Sequence, residues 1–325
     1  MRVLVTGAAG FIGSHIADAL IARGDQVVVL DNLSNGRLDF VPAGAVFVEG
    51  DVRSEQDIDR AFKAIPDGPI EAVCHLAGQA STFRSFDAPA WDMEVNGVGT
   101  ARMLEGSRRH GTKTFLYASS MTVYGSPESL PVREDAPCRP LSYYGITKWA
   151  AERSVLLSAN QGPPEHRVRA CAFRMFNVYG ERQSLTNPYQ GVLGIFVGNV
   201  LRNEKIAIFG DGEQSRDFVY VGDVAAAWLA ALDRTDVNSA VFNLGTGTQT
   251  SINTLWRLAV AACDADPDAW PVSFGEARPG DQRHMVADIS AVQQSLGWAP
   301  VMPLPDGVRA VVQWARGDAG APRDD

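Results

Sequence analysis

The sequence is poor in cysteine, has more acidic than basic residues and contains no long apolar run. Its four cysteines stand far apart, with no CxxC pair and no Cys/His cluster: they are Cys74, Cys138, Cys171 and Cys263. Such spacing argues against a disulfide framework and a zinc site, so we expect no bound metal and a reducing compartment. A net charge of −9 opposes binding to nucleic acid or to an anionic membrane surface, because like charges repel.

The apolar segments are too short to cross a membrane, and the first predicted strand begins directly after Met1. That leaves no room for a signal peptide, so the sequence predicts a cytoplasmic protein without a membrane partner. The 325 residues, 46% of them apolar and 21% charged, suffice for a substantial buried core. Strand-like and helix-like patterns alternate in the first half, which is typical of a doubly wound α/β fold.

A glycine-rich stretch near the start of the chain combines a buried strand, a tight turn and an amphipathic helix. Residues 3–5 are continuously apolar, as in a parallel strand that is covered on both faces. Gly7, Gly10 and Gly13 follow at intervals of three. Gly7 would permit the turn, Gly10 would let the backbone approach a diphosphate, and Gly13 would let the helix pack against the strand. The helix N-terminus would add unpaired N–H groups and a positive dipole end.

A second predicted strand over residues 26–30 leads into Asp31, which stands 18 residues after Gly13. An acidic side chain at this place accepts hydrogen bonds from the adenosine ribose of a dinucleotide. Its negative charge disfavours a 2′-phosphate, so the sequence predicts NAD rather than NADP.

Three further polar residues form a possible acid–base set. A strand over residues 114–120 ends in Ser120, at the strand end where doubly wound sheets bind ligands. Tyr144 and Lys148 are four residues apart in a predicted helix and share one of its faces. To act as a base near neutral pH, Tyr144 needs its pKa lowered by about three units, which an ammonium and a cationic nicotinamide ring would favour. Ser120 would orient the substrate oxygen and share its proton.

Four motifs together resemble the extended short-chain dehydrogenase/reductase family. They are the turn TGAAGFIGSH (6–15), Ser120, the pair Tyr144-x-x-x-Lys148 and the segment FNVYG (176–180). Within that family the chain is most similar to nucleotide-sugar epimerases of the UDP-galactose 4-epimerase type. The resemblance implies a Rossmann-like domain with a parallel sheet over residues 1–180, to which a segment near 215–245 could return. It also implies a smaller C-terminal α/β domain over 181–325, a tightly bound NAD, and a homodimer formed by helices within 88–110 and 144–158.

The site residues that the resemblance implies surround a dinucleotide and a nucleotide sugar. Ser120, Tyr144 and Lys148 would be catalytic. The expected cofactor-binding residues are Gly7, Gly10, Phe11, Ile12, Gly13, Asp31, Asn32, Asp51, Val52, Leu76, Ala77, Gly78, Asn96, Tyr144 and Lys148. The expected substrate-binding residues are Ser81, Ser120, Thr122, Tyr144, Asn177, Val192, Phe209, Arg216, Arg278, Asp281 and Met285. In the family, arginines that match Arg216 and Arg278 grip the diphosphate, which suits their bidentate donor geometry.

The two positions after Ser120 favour one reaction class within the family. Sugar dehydratases of this superfamily carry an Asp-Glu pair there, and nucleotide-sugar decarboxylases keep the Glu, whereas this chain has Met121 and Thr122. A thioether transfers no proton, and a hydroxyl does not replace a carboxylate as acid and base. We therefore expect an isomerase, a UDP-hexose 4-epimerase that oxidises the sugar to a 4-keto intermediate and reduces it again.

Three alternatives stay open from the sequence. A dTDP-sugar 4-epimerase would use the same catalytic residues, and an NAD(P)H-dependent 4-ketoreductase of a deoxysugar pathway would consume its cofactor. A non-catalytic NAD-binding sensor would have no need of the pair Tyr144 and Lys148. The sugar is open as well, because Met285 stands at a position that gates N-acetyl sugars in this family and is of intermediate size and flexible.

Overall fold

Strands and helices alternate along the chain in a computed structural model that describes residues 1–161, 163–187, 191–276 and 282–318. Within these ranges the strands are β1 (Arg2–Thr6), β2 (Gln26–Asp31), β3 (Val46–Glu49), β4 (Ala72–His75), β5 (Thr114–Ser120), β6 (Arg169–Met175), β7 (Asn177–Tyr179), β8 (Ile206–Phe209), β9 (Ser215–Arg216), β10 (Phe218–Tyr220), β11 (Ala240–Leu244), β12 (Thr250–Ser251) and β13 (Val272–Gly275). The helices are α1 (Phe11–Ala22), α2 (Glu55–Phe62), α3 (Thr82–Asp87), α4 (Pro89–Asp92), α5 (Gly99–Arg109), α6 (Tyr143–Asn160), α7 (Val192–Leu201), α8 (Val221–Asp233), α9 (Ile252–Ala262), α10 (Ser290–Leu296) and α11 (Leu304–Asp318). Among these described helices, none is both long and apolar enough to pass through a bilayer.

Seven of the described strands form a parallel sheet in the order β11-β6-β5-β4-β1-β2-β3. β1 lies between β2 and β4, so that Val5 pairs with Val29 on one side and with Cys74 on the other. The chain first runs outward from β1 through β2 and β3, and then builds β4, β5 and β6 on the opposite side. This reversal opens a crevice at the carboxyl ends of β1 and β4, where such sheets bind ligands. The doubly wound α/β fold predicted from the sequence is confirmed.

The two faces of the sheet carry separate hydrophobic cores. Val3 and Val5 point into one core, which α1 and α8 cover, and Leu4 points into the other, which α2, α5 and α6 cover. Trp228 of α8 has no exposed surface and packs against Phe173 of β6, with ring centroids 5.0 Å apart. Because β1 is buried on both faces, its apolar residues are consecutive rather than alternating with polar ones.

The second half of the chain builds a smaller core. Helices α7, α9 and α11 pack with β8 around apolar side chains that include Phe196, Leu255 and Val311. β8 pairs in parallel with β13. Other segments of this half return to the large sheet, because β11 pairs with β6 and α8 packs on α1. The division into domains over 1–180 and 181–325 stays a prediction.

The helical segment expected within residues 88–110 has an uneven backbone. α4 passes through a π-helical turn, Met93–Val98, before α5 begins. Asn96 lies in that turn, where its side-chain amide bonds the backbone of Gln79 and the hydroxyl of Thr147. A π-helical turn is wider than an α-helical one and is frequent at functional sites. Here the wider turn accommodates an amide that faces inward.

Trp228→Ala tests the core that α8 forms with the sheet. The substitution leaves a cavity that the tightly packed surroundings cannot fill, and we expect the free energy of unfolding to fall by about 3 to 5 kcal/mol. Urea denaturation followed by circular dichroism measures the difference. Val301→Ala, at a residue that is 81% exposed, is the control and should change this free energy by less than about 0.5 kcal/mol. Equal effects of the two substitutions would contradict the packing described.

Candidate active site

The glycine-rich turn between β1 and α1 brings backbone segments into close contact. Gly7 has a φ of +75°, a left-handed conformation that favours glycine. A β-carbon on Gly7 would lie 2.7 Å from the backbone nitrogen of Ala77, in the loop after β4. A β-carbon on Gly13 would lie 2.4 Å from the carbonyl oxygen of Gly7. Neither distance leaves space for a side chain, so the turn depends on glycine at both positions.

The N-terminus of α1 carries no side-chain cap. Gly10 is the N-cap residue, and the first turn, which begins with Phe11, Ile12 and Gly13, contains no acidic residue. The N–H groups of a first turn lack partners within the helix, and the positive end of the helix dipole favours an anion. This helix terminus is therefore suited to a diphosphate.

The Asp31 carboxylate, at the end of β2, links the glycine turn to the adjacent strand. One oxygen accepts a hydrogen bond from the backbone N–H of Ala9 at 3.0 Å, and the other accepts one from Leu33 at 2.8 Å. Burial raises the pKa of Asp31, although these two hydrogen bonds oppose the change. Each oxygen has a further lone pair, so the carboxylate can also accept a hydrogen bond from a ribose hydroxyl.

Asp51 is held in one orientation just after β3. Arg53 binds its carboxylate through two nitrogens, at 2.9 and 2.7 Å, and the Asn32 amide donates to it at 2.9 Å. The hydrogen bonds from Arg53 are the main reason that the pKa of Asp51 falls to about 2. Val52 follows and is buried against Gly99 of α5. Asp51 and Asn32 thus form a fixed polar pair, whereas Val52 belongs to the core.

The loop after β4 lies between the glycine turn and α6. Leu76 and Ala77 donate their backbone N–H groups to the backbone and side-chain oxygens of the last residue of β1, at 3.2 and 3.1 Å. A β-carbon on Gly78 would lie 2.8 Å from the amide oxygen of Asn96 and 3.5 Å from Nζ of Lys148. Because Gly78 has no side chain, Asn96 and Lys148 can approach this loop closely.

Ser120, Tyr144 and Lys148 meet at the carboxyl end of β5. Ser120 is the last residue of that strand, while Tyr144 and Lys148 lie one turn apart on α6. All three are more than nine-tenths buried. Ser142 caps α6 by accepting a hydrogen bond from the N–H of Gly145 at 3.0 Å, which determines where the first turn of the helix begins. The structure thus brings together the three residues predicted to be catalytic.

Hydroxyl groups surround Ser120. The Thr122 hydroxyl donates to its Oγ atom at 3.0 Å, and the N–H of Thr122 reaches the same atom at 3.3 Å. Ser120 also forms a hydrogen bond with the Tyr144 phenol. Because Thr122 donates to Ser120, the proton of Ser120 is available to the phenol or to a substrate oxygen.

Burial has the largest effect on the pKa values of Tyr144 and Lys148. It raises the pKa of Tyr144 to about 12, although the hydrogen bond with Ser120 opposes the change. It lowers the pKa of Lys148 to about 8, because the buried ammonium loses its hydration. We expected the Lys148 ammonium to bring the phenol toward neutral pH, but in the chain itself burial has the larger effect and raises the pKa of Tyr144. Deprotonation near pH 7 therefore requires a further positive charge next to the phenolate.

An aromatic ring and a neutral histidine lie close to Lys148. Its Nζ atom lies 4.9 Å from the centroid of the Tyr117 ring, a favourable cation–π arrangement. His75 has both ring nitrogens bonded to hydroxyls, those of Thr6 at 2.7 Å and Thr100 at 3.0 Å. Burial lowers the pKa of His75 to about 3, so this histidine stays neutral. His75 is therefore a structural residue, and the positive charge at this end of β4 belongs to Lys148.

Two predicted substrate-binding residues, Ser81 and Asn177, differ in their hydrogen bonding. Ser81 caps α3, since its hydroxyl accepts a hydrogen bond from the N–H of Arg84 at 3.2 Å. Asn177, the first residue of β7, has a buried amide oxygen that finds no hydrogen-bond partner among the described residues. An unsatisfied buried oxygen is costly, and a donor on a ligand would satisfy it. Arg278 and Asp281 lie outside the described residues.

The remaining predicted substrate-binding residues come from the C-terminal half. Val192 begins α7, and Phe209 ends β8 with 43% of its surface exposed. Arg216, in β9, is buried and donates to a neighbouring carbonyl at 2.8 Å. Met285 has no exposed surface and packs against Tyr124, in the segment that follows Ser120, and against other apolar residues. Their roles toward a substrate stay predictions.

A buried ion pair that was not predicted from the sequence joins the elements that carry Ser120, Tyr144 and Lys148 to β6. Arg174 of β6 binds the Glu152 carboxylate through two nitrogens, at 3.0 and 2.6 Å. Ser119, which precedes Ser120, donates to the same carboxylate at 2.6 Å. These bonds connect β5, β6 and α6. The available signal was the position of Glu152, four residues after Lys148 and on the same helix face.

Comparison with known proteins identifies the family. A model of the NAD dependent epimerase/dehydratase family matches residues 3–245. The chain belongs to this family. It is 38% identical to a putative UDP-glucose 4-epimerase of Methanocaldococcus jannaschii, over 97% of this chain and 98% of that relative. Among solved structures, a UDP-glucose 4-epimerase of Thermotoga maritima with UDP-glucose has a TM-score of 0.91 at 37% identity, and one of Thermus thermophilus with NAD has 0.88 at 35%. Each of the two alignments covers 98% of this chain and 99% of the other.

NAD is the cofactor of this family, and the crevice of this member fits it. The turn at Gly7 and Gly13 leaves backbone rather than side chains at the crevice, next to the uncapped N-terminus of α1. Asp31 stands at the end of β2 with lone pairs available for a ribose hydroxyl. The assignment of individual residues to the cofactor stays a prediction.

Gly13→Ala tests the close approach in the turn. The added carbon would overlap the Gly7 carbonyl, so we expect α1 to move away from β1 and the purified protein to retain little NAD. The free energy of unfolding should fall by about 1 to 3 kcal/mol. Nucleotide released by denaturation and separated by chromatography measures the NAD content. Gly317→Ala, where an added carbon meets nothing within 4 Å, is the matched control. Wild-type NAD content in Gly13→Ala would disprove the role of this contact.

Proposed function

We propose that this chain is an NAD-dependent nucleotide-sugar 4-epimerase that acts on a UDP-hexose. The proposal depends on one observation, the meeting of Ser120, Tyr144 and Lys148 next to the glycine turn. The similarity to UDP-glucose 4-epimerases over nearly the whole chain supports it.

Tyr144 is the general base and acid of the proposed reaction. Its phenolate takes the proton of the C4 hydroxyl, and the phenol later returns a proton to the C4 oxygen. Ser120 holds that oxygen by a hydrogen bond and shares its proton. Lys148 binds the nicotinamide ribose and favours the phenolate through its charge. When bound, NAD supplies a hydride acceptor and donor for C4 and a cationic ring that favours the phenolate.

The segment after Ser120 argues against elimination chemistry. Met121 and Thr122 stand in a 3₁₀ turn, Met121–Tyr124, where a dehydratase needs carboxylates for proton transfer. The Thr122 hydroxyl is directed to Ser120 instead. The nearby Glu152 carboxylate is bound by Arg174 and Ser119. A redox-neutral inversion is the reaction that these residues support best.

For the nucleotide sugar, we assign the residues of the C-terminal half. Arg216 and Arg278 would bind the diphosphate, because guanidinium groups bind such anions through two nitrogens. Asp281 would accept hydrogen bonds from the nucleoside ribose, and Phe209 would lie beside the base. The unpartnered amide oxygen of Asn177 would receive a donor from the substrate. In this proposal residues 1–180, with the returning segment near 215–245, hold NAD, and residues 181–325 hold the sugar nucleotide.

We also propose that the protein is a cytoplasmic homodimer. The four cysteines are free, as in a reducing compartment. Ile146, Trp149 and Leu157 form an apolar stripe on α6 and are 42%, 37% and 58% exposed. Exposed apolar stripes of this kind mark interfaces. α5 packs beside α6, so two copies could join these helices into a four-helix bundle.

Incubation of the purified protein with UDP- and dTDP-sugars, without added reductant, tests the reaction. We expect proton NMR to show inversion at C4 of a UDP-hexose with no net change in NAD. Inversion of dTDP-sugars alone would identify the other epimerase. Oxidation of NAD(P)H in a second incubation, to which it is added, would identify a ketoreductase. No turnover with any sugar would disprove the proposal and favour a sensor.

Tyr144→Phe tests the assignment of the base. It should lower kcat by about a hundredfold or more while the protein keeps its NAD, because the phenol transfers a proton. The adjacent Tyr143→Phe is the matched control, since Tyr143 is 45% exposed, and it should turn over like the wild type. Loss of NAD from Tyr144→Phe would show that this residue holds the cofactor rather than transferring a proton.

Leu157→Arg tests the dimer. A charge at the C-terminal end of the stripe cannot be buried without a partner, so we expect the variant to be monomeric. Light scattering after gel filtration should give the wild type about twice the chain mass of 35.0 kDa and the variant that mass once. Val301→Arg, which changes an exposed residue elsewhere, should leave the mass unaltered. A wild-type mass near that of one chain would disprove the dimer.

A further inference from the structure

A buried carboxylate beside the catalytic helix has no part in the reaction described above. Asp92, the last residue of α4, has no exposed surface. The Thr147 hydroxyl donates to one of its oxygens at 2.5 Å, and the Gln79 amide donates to the other at 2.5 Å. Both donors are neutral. Burial of a carboxylate against neutral groups costs free energy, so a contribution to stability does not explain why position 92 is an aspartate.

The two donors belong to different walls of the active site. Thr147 lies on α6 between Tyr144 and Lys148. Gln79 lies in the loop after β4, and its side chain also bonds both the N–H and the carbonyl of Ser81. Asp92 therefore ties the helix that carries the acid–base residues to the loop that the cofactor is predicted to contact.

Asn96 belongs to the same hydrogen-bond network and determines which of its groups donate and which accept. Its amide nitrogen donates to the Thr147 oxygen at 3.2 Å and to the Gln79 carbonyl at 3.1 Å, while its oxygen accepts from the Gln79 N–H at 2.9 Å. Thr147 accepts from Asn96, and its own proton is directed to Asp92, with the Tyr144 carbonyl as a second, more distant acceptor at 3.0 Å. Asp92 thus accepts two hydrogen bonds, one at each oxygen.

The charge of Asp92 acts on both titrating catalytic residues. It stabilises the buried Lys148 ammonium and opposes the fall of its pKa, and it adds to the rise in the pKa of Tyr144. The other groups that face Lys148 are the Tyr117 ring and the neutral His75. Removal of the negative charge should therefore lower the pKa of Lys148 and of Tyr144 together.

We propose that Asp92 is a positioning residue that holds α6 against the loop after β4 and keeps the buried Lys148 charged. The inference rests on the proposed epimerase function for its kinetic measurement only. Its electrostatic part concerns Lys148 in the folded chain and can be measured without turnover.

Asp92→Asn removes the charge at nearly constant volume. An amide has a single oxygen, so it accepts from only one of the two donors in their present positions, and the contact with the other becomes a weaker, neutral hydrogen bond. We expect kcat of the NAD-loaded enzyme to fall by about ten- to a hundredfold, with a smaller change in KM. The pH profile of kcat should move to lower pH, because both catalytic pKa values fall. Asp87→Asn, an exposed acid nearby with the same change in net charge, should leave kcat and the profile unaltered.

NMR of protein with carbon-13-labelled lysine supplies the second measurement. The chain has only four lysines, Lys63, Lys113, Lys148 and Lys205, and Lys148→Met assigns the signal of the buried one. In the wild type that signal should titrate near pH 8, and in Asp92→Asn about one unit lower. Asp87→Asn should titrate like the wild type.

The outcomes separate the two proposals. If the wild type does not epimerise any sugar, the proposed function fails, while the lysine titration still decides the role of Asp92. An unchanged pKa of Lys148 in Asp92→Asn overturns the inference. It does so even if kcat falls, because loss of a purely structural residue would also lower kcat without changing that pKa. If Asp92→Asn does not fold, Thr147→Val removes the helix-side hydrogen bond and should lower kcat by a similar factor. A folded Thr147→Val with the kcat of the wild type would then overturn it.

Discussion

The close approach of backbone at the carboxyl ends of β1 and β4 is the constraint on which the rest of this structure depends. The carbonyl of Gly7 touches Gly13, and Gly7 itself lies against Ala77. Side chains at these points would push α1 and the loop after β4 apart. Without them, the helix terminus, the Asp31 carboxylate and the catalytic residues are arranged around one crevice that a dinucleotide fits.

Burial is the second organising effect, and it changes the pKa values of Tyr144 and Lys148, the two proposed catalytic groups that titrate, in opposite directions. The same tight packing that stabilises the sheet raises the pKa of Tyr144 to about 12 and lowers that of Lys148 to about 8. The protein partly offsets this with fixed polar partners, namely Ser120 for the phenol and the Asp92 carboxylate for the ammonium. The site is thus preorganised, but the positive charge of the nicotinamide ring of NAD must complete it.

Sequence patterns predicted the central strands and the fold class correctly because both depend on local order. The apolar run of β1 and the glycines after it each act within a few residues of chain. The pattern of residues 88–110 indicated a helix but not its π-helical turn, since that turn depends on the contacts of Asn96 with Gln79 and Thr147. The ion pair between Glu152 and Arg174 was missed for the same reason, because its two members are 22 residues apart.

The sequence by itself determined the doubly wound sheet and the glycine turn, and it indicated the proposed acid–base set of Ser120, Tyr144 and Lys148, because side-chain period and residue type at strand ends are local properties. Only the tertiary structure decided which of these groups are charged and what holds them. Packing between distant segments determines three further features. They are the pairing of β11 with the large sheet, the burial of Met285 and the position of Asp92 between a helix and a loop. Desolvation depends on everything that surrounds a group, and no stretch of sequence contains that information.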